Sequence, residues 1–174
     1  MKKIKLMSAA FCLIAASLLM LGSNYASLTV KDQLSAQKIS FPDKATLEKD
    51  NSKLVSFADK AVDTGDEAKA YSDYIKGHLA KVANGKTYSE VSGEFQKDRT
   101  NKTLEAQRTN LFMGETLRGL LLNAWGWGLV GKIALWASYA VFIVSVGLLV
   151  WAVADSGTRK SLPAHTVAKR KAKK

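Results

Sequence analysis

Apolar residues concentrate in two uninterrupted runs, one near each end of the chain. The runs cover residues 6–22 and 133–154, and neither contains a charged residue. Their lengths of 17 and 22 residues lie near the lower limit and the middle of the ~17–25 residues that a membrane-spanning helix needs. We therefore expect two transmembrane helices, the first at residues 6–23 and the second at residues 133–154.

The first run also has the basic start and the apolar centre of a secretory signal peptide. Its best cleavage site, Asn24-Tyr25-Ala26, has asparagine where a small residue is preferred. This departure favours an uncleaved signal anchor over a cleaved leader.

Between the two runs, polar and apolar residues alternate with the period of helices. Two capping boxes, Thr64 with Glu67 and Thr87 with Glu90, predict helix starts, because these side chains bond the free backbone N–H groups of a helix N-terminus. The first of these helices should end at Asn84-Gly85, since both residue types accept the left-handed conformation of a C-terminal cap. Its apolar face is predicted to comprise Ala68, Tyr71, Ile75, Leu79 and Val82.

The flanking segments carry weaker helix signals. The first helix should extend to about residue 39, because Phe41 precedes a proline and therefore disfavours helical backbone. Another helix is predicted from about residue 51, and a long one from about residue 100 into the second run. The long helix carries apolar residues at intervals of four and three, which form an amphipathic face leading toward the second run. They are Met113, Leu117, Leu120, Ala124 and Trp127.

The second run and the apolar stretch before it are too long for one upright crossing. As a single helix, the ~36 residues from 119 to 154 would rise ~54 Å, against a hydrocarbon core of ~30 Å. Residues 119–132 should therefore form an interfacial helix or a stalk. The glycines in this region suggest close helix contacts or a bend.

The distribution of charge predicts how the chain is oriented. The net charge is +11, but residues 22–131 hold 15 basic and 14 acidic residues, so the excess lies at the two ends. Basic residues favour the cytoplasmic side of a membrane. We expect cytoplasmic segments at residues 1–5 and 155–174 and an extracytoplasmic helical domain at residues 24–118.

The basic tail could indicate nucleic-acid binding. The middle of the chain is nearly neutral, so the charge distribution is explained by membrane orientation and no nucleic acid is expected. Lys169, Arg170 and Lys171 are expected to contact anionic lipids instead. The single cysteine, Cys12, excludes an intramolecular disulfide. An exported domain without cysteines fits the bacterial plasma membrane better than a eukaryotic secretory compartment.

The residue pattern nominates no catalytic, cofactor-binding or metal site. His78 lies beside the apolar face of the first capped helix, and His165 lies in the basic tail. Neither has a second ligand at metal-binding spacing. We therefore expect a protein that is not an enzyme and needs no cofactor.

Residues near the predicted outer membrane surface are the candidate contacts with lipid or with another membrane protein. Trp125 and Trp127 fit an interfacial aromatic belt, and Lys132 can reach the headgroups. Glu115 and Arg118 form either a local pair or a contact with a partner.

Small residues in the two runs predict close helix packing in lipid. They are Ser8, Cys12 and Ala16 in the first run, and Ala134, Ser138 and Ser145 in the second. Packing of the two spans on each other is favoured over docking to another protein.

Two stretches, GDEAKAYSDYIKGHLAKVANGKTYSEVS and GETLRGLLLNAWGW, resemble a group of small uncharacterised actinobacterial membrane proteins. The resemblance covers residues 30–153. It implies a layout of two transmembrane helices around an extracytoplasmic helical domain, and it implies no activity.

The pattern as a whole predicts an all-α integral membrane protein with two transmembrane helices. The favoured function is a non-enzymatic accessory, scaffold or sensor component of a membrane or envelope assembly. One alternative is an extracytoplasmic ligand receptor whose groove is lined by Tyr71, Tyr74, Tyr88 and Phe95. A less favoured alternative is an outer-leaflet lipid enzyme built around Glu115, Arg118 and Asn123.

Overall fold

The computed structural model describes residues 2–50 and 52–158, and this part of the chain is helical. Five α-helices and one short 3₁₀ helix (Ser52–Phe57) follow one another, with no strand in the ranges described. The all-α prediction is confirmed. The helices are α1 (Lys2–Ala36), α2 (Lys44–Asp50), α3 (Gly65–Val82), α4 (Tyr88–Lys97) and α5 (Lys102–Thr158).

The chain divides into two compact units. One combines residues 1–22 with residues 133–174, and the other covers residues 23–132. Helices α1 and α5 are each long and apolar enough to cross a membrane, judged by length and composition. Only 11% of the most apolar window of either helix is buried, whereas the core helix of a soluble protein is mostly buried.

In the first unit, α1 and α5 pack through small residues. The hydroxyl of Ser145 donates a hydrogen bond to the carbonyl oxygen of Ala9, 2.8 Å away, and Ala16 and Ser138 are also buried. The predicted packing of the two apolar runs on each other is therefore confirmed. The prediction that Ser8 lies in this contact is wrong, because Ser8 is exposed and its neighbour Ala9 is buried there instead.

In the second unit, both predicted capping boxes are present. Thr64 caps α3 with Glu67, and Thr87 caps α4 with Glu90. Helix α3 ends at Val82, just before the predicted stop at Asn84-Gly85, where both residues have positive φ angles of 52° and 79°. These three predictions are confirmed because capping and turn chemistry depend only on residues close in sequence.

Helix α1 is shorter than predicted, ending at Ala36 instead of near residue 39. The backbone of the following segment pairs with a distant loop instead of continuing the helix. The N–H of Phe41 donates to the carbonyl of Lys60 at 2.9 Å, and the N–H of Val62 donates to the carbonyl of Ile39 at 2.9 Å. The backbone of residues 39–41 therefore makes tertiary hydrogen bonds instead of helical ones, and α1 ends before it.

The helix predicted from about residue 51 is also wrong. The α-helical turn lies upstream, in α2, and the chain from Ser52 to Phe57 forms a 3₁₀ helix. The carboxylate of Asp43 accepts a hydrogen bond from the N–H of Thr46 at 2.8 Å, which satisfies one of the free donors at the start of α2. Leu47 of this helix is fully buried and anchors it to the core.

Two hydrophobic clusters form the core of the second unit. The larger one joins α1, α2, α3 and α5, and the smaller one joins α3, α4 and α5. The larger cluster contains Val30, Leu34, Phe41, Leu47, Leu54, Val62, Ala68, Ala70 and Leu121. The smaller cluster contains Leu79, Ala83, Val91 and Leu111.

Three glycines of α5 sit where other helices approach closely. A Cβ on Gly114 would lie 2.6 Å from a methyl carbon of Leu79, and a Cβ on Gly128 would lie 3.2 Å from the Cα of Gly65. Gly131 faces α1, where its Cβ would be 3.4 Å from the Cβ of Ala26. The predicted role of these glycines in close helix contacts is therefore confirmed for these three positions.

Candidate functional site

The predicted apolar face of α5 is not the face that the protein buries. Met113, Leu120 and Trp127 are 56%, 66% and 57% exposed, and Leu117 is 37% exposed. The buried face instead contains the residue that follows each of them in the sequence. We call Met113, Leu117, Leu120, Ala124 and Trp127 the α5 stripe, and Gly114, Arg118, Leu121, Trp125 and Gly128 the inner face.

Each residue of a helix is rotated by ~100° from the one before it, so the two faces are adjacent on α5. The inner face meets α3: Gly114 lies against Leu79, and Gly128 lies against Gly65. Leu121 is 2% exposed and belongs to the larger core cluster. Both faces have the 3.5-residue spacing of a helix contact, so the spacing alone does not show which of them the chain buries.

The exposed apolar surface extends beyond the stripe on the side of α4. Phe112 is 59% exposed, and its ring lies 6.0 Å from the ring of Tyr88. Val130 continues the apolar surface toward the second apolar run and is 53% exposed. Neither Phe112 nor Val130 was singled out from the sequence, although each lies three residues or fewer from a stripe residue.

Glu115 and Arg118 form the local pair that their spacing predicts. One guanidinium nitrogen of Arg118 lies 2.7 and 2.5 Å from the two carboxylate oxygens of Glu115. The Nε of Arg118 donates to the backbone carbonyl of Ser72 on α3 at 3.2 Å. The Arg118 side chain is 16% exposed, so it fastens α5 to α3.

The other predicted contact residues have different surroundings. Trp125 is half-buried on the inner face, whereas Trp127 is exposed. The ammonium of Lys132 forms an ion pair with the carboxylate of Asp66, in the first turn of α3. Lys169, Arg170 and Lys171 lie outside the residues that the structure describes.

The four aromatic residues of the hypothetical receptor groove occupy two different places. The rings of Tyr71 and Tyr74 lie 5.7 Å apart and pack against the larger core cluster. Burial raises the pKa of the Tyr71 phenol. Tyr88 packs on Phe112, whereas Phe95 lies under the guanidinium of Arg108, 4.4 Å from its ring centre.

Two polar side chains at the C-terminal end of α3, His78 and Lys81, make contacts with neighbouring groups. His78 is exposed, with its ring 6.3 Å from that of Tyr74. The nearby carboxylate of Asp50 is bonded by the ammonium of Lys81 at 2.8 Å, which lowers the pKa of Asp50. Within residues 2–50 and 52–158, no group of three or more His, Cys, Asp or Glu side chains is placed to hold a metal ion.

Comparison of the chain with protein-family models, with curated proteins and with solved structures found no match. The resemblance to the actinobacterial membrane proteins stays a prediction. The candidate functional site is therefore defined by the surface itself: the α5 stripe, with Phe112, Tyr88 and Val130 beside it.

Proposed function

We propose that the protein is a non-enzymatic component of a membrane or envelope assembly, which it joins through the α5 stripe. In this proposal, α1 and α5 span a bacterial plasma membrane at residues 6–23 and 133–154. Both termini are cytoplasmic, residues 24–118 form an extracytoplasmic domain, and residues 119–132 form an interfacial or stalk helix. The first helix is a signal anchor. This layout agrees with that of the actinobacterial group which the chain resembles.

The exposure of the α5 stripe supports the proposal. Soluble surfaces rarely carry contiguous apolar patches of more than a few hundred Å², and larger ones mark contacts with proteins or membranes. Two exposed aromatic rings, Phe112 and Trp127, contribute to this surface, and aromatic residues dominate the energetics of protein interfaces. An accessory or scaffold component needs a surface of this kind, and a catalytic site does not.

The proposed function is tested by placing a photo-crosslinking amino acid on the stripe in the native membrane. Leu120 is the position of choice, because its side chain is 66% exposed and its replacement leaves the core intact. Leu122 provides the matched control: it is also a leucine of α5, is half-buried and lies about 160° away around the helix. We expect protein adducts from position 120 well above those from position 122. Adducts with lipid alone at position 120 would refute the function.

The proposed layout is tested separately. A reporter fused after Lys174 should be active only in the cytoplasm, and activity only outside the cell would reverse the orientation. The mature chain should retain its first residues. A mature N-terminus near Ser27 would exclude the signal anchor.

A further inference from the structure

The α5 stripe has the geometry of a seam between two parallel helices. Its residues follow one another at intervals of four, three, four and three, which average 3.5. This period keeps one face of a helix turned toward a neighbouring helix, with each side chain inserted between side chains of the partner. Within the chain, α5 already uses its inner face for α3. Ala124 packs against the larger core cluster, whereas Met113, Leu117, Leu120 and Trp127 remain exposed. These four residues of the stripe therefore form a second seam, which the chain itself leaves open.

The charge pattern of α5 suits a partner with the same surface. Between residues 109 and 131, the only charged residues are Glu115 and Arg118. They are paired with each other, and Arg118 belongs to the inner face. Two stripes can therefore meet without placing like charges opposite each other. Such charges would repel across a contact between identical surfaces and would cost free energy.

Membrane topology adds a constraint on how copies can meet. On the proposed function, all copies enter the membrane in the same direction, so identical residues lie at identical depth. A two-fold axis along the membrane normal then brings each stripe against its own counterpart over its whole length. Only a partner with matching spacing at the same height would fit as well, and a second copy satisfies this condition automatically.

The amount of exposed surface is adequate for such a contact. A stable interface buries ~800 Å² per partner. Large aromatic side chains bury ~150–250 Å² each, and Phe112, Tyr88 and Trp127 are all about half exposed. With the exposed parts of Met113, Leu117, Leu120 and Val130, the surface reaches several hundred Å², on the order of one interface side.

Lipid tails are a poorer match for the stripe. The stripe covers residues 113–127, and the second apolar run begins at residue 133. In the proposed layout, the stripe therefore lies outside the second transmembrane segment.

We propose that the protein forms a parallel homodimer through the α5 stripe, with Met113, Leu117 and Leu120 nearest the two-fold axis. This inference deepens the proposed function, on which it rests, by naming a second copy of the chain as the occupant of the surface.

Disulfide crosslinking of the full-length protein in native membranes tests the dimer. The native thiol is first removed by Cys12→Ser, and single cysteines are then introduced by Met113→Cys, Leu117→Cys or Leu120→Cys. Oxidation with copper–phenanthroline takes two electrons from a pair of thiols and joins them with release of two protons. We expect a crosslinked dimer at these three positions, at a yield at least about tenfold above the controls.

Leu122→Cys and Leu129→Cys are the matched controls. Both positions lie on α5, roughly 160–180° around the helix from the middle of the stripe, and Leu129 is 42% exposed. Equal dimer yields at positions 122 and 120 would indicate random collision and would overturn the dimer. A second measurement is the oligomeric state in lipid vesicles, by energy transfer between labelled copies. Leu120→Glu should abolish the transfer, and Leu129→Glu should retain it.

The photo-crosslinking experiment separates this inference from the proposed function. Adducts of position 120 with a second copy support both. Adducts with a different protein alone overturn the dimer and leave the accessory function standing. Adducts with lipid alone overturn both.

Discussion

Replacing Gly114 with alanine tests whether α3 and α5 pack as closely as the structure shows. A Cβ at this position would lie 2.6, 2.7 and 3.0 Å from the Cδ2, Cδ1 and Cγ atoms of Leu79. Carbon atoms in contact normally lie ~3.5–4.0 Å apart. The clash involves the whole end of the Leu79 side chain, so rotating one methyl group does not relieve it. Leu79 is 7% exposed and is enclosed by Ala83, Val91 and Leu111.

Two opposing effects determine how much Gly114→Ala changes the free energy of unfolding. Alanine is favoured over glycine inside a helix by ~0.8–1.0 kcal/mol. Extra volume in a packed core costs ~1–3 kcal/mol. We therefore expect Gly114→Ala to change the free energy of unfolding by between about zero and a loss of ~2 kcal/mol. Gly119→Ala, which meets no neighbouring atom, should gain the full ~0.8–1.0 kcal/mol.

The difference between the two variants isolates the steric cost, because both make the same chemical change in the same helix. A difference of ~1–3 kcal/mol corresponds to at least ~4 °C in Tm for a domain of about 100 residues. Thermal melting of the full chain in lipid nanodiscs, followed by circular dichroism, measures this difference. A Tm for Gly114→Ala equal to or above that of Gly119→Ala would refute the packing argument.

Leu79→Ala supplies an independent check on the same contact. It removes the atoms that meet the new Cβ, so Gly114→Ala in this background should raise Tm as Gly119→Ala does. A clash that persisted would have to arise from another neighbour. The coupling between the two substitutions measures their contact directly.

Three further predictions concern the contacts that hold α3 in place. Thr64→Ala removes the α3 cap and should lower the stability by ~1 kcal/mol, measured by the same melting experiment; no change in Tm would contradict it. Burial raises the pKa of the Glu67 carboxyl, but hydrogen bonds from Thr64 and from Asp63 lower it more, so the pKa lies below 4.5. Glu67 therefore adds stability that is complete above about pH 4.5 and is lost as pH falls through the folded-state pKa. In a plot of Tm against pH, Glu67→Gln should make the fall of Tm at acid pH less steep. Arg118→Ala should cost ~1.5–3 kcal/mol because it removes charged hydrogen bonds that are mostly shielded from water, whereas Lys102→Ala, in an exposed pair, should cost under ~1 kcal/mol; equal losses would exclude the fastening role of Arg118.

Features that depend on a few neighbouring residues could be predicted from the sequence. Both capping boxes and the stop after α3 follow from side chains within four positions of the bonds they make. The end of α1 could not be predicted in the same way. The segment after it makes hydrogen bonds between residues 39–41 and 60–62, and nothing in the local sequence indicates that these two segments pair.

The buried face of α5 was missed for a different reason. Periodicity identifies a face that suits a helix contact but does not identify which of two such faces the chain itself buries. The glycines carried the missing signal. Gly114 and Gly128 mark the side on which other backbones approach α5, and that side excludes Met113 and Trp127 from the interior.

The two faces of α5 carry side chains of different sizes and different polarity. The inner face combines glycines with an arginine that bonds a backbone carbonyl, so its partner is fixed in detail and at short range. The stripe combines large, uncharged side chains, which suit a contact that forms after the chain has folded and that tolerates some adjustment. Inside the unit formed by residues 23–132, α5 packs against α1, α3 and α4, and Met113, Leu120 and Trp127 of the stripe stay exposed there. A further neighbour for these side chains comes from outside that unit, and the spacing, the charge pattern and the membrane orientation of the proposed layout favour the same helix of another copy.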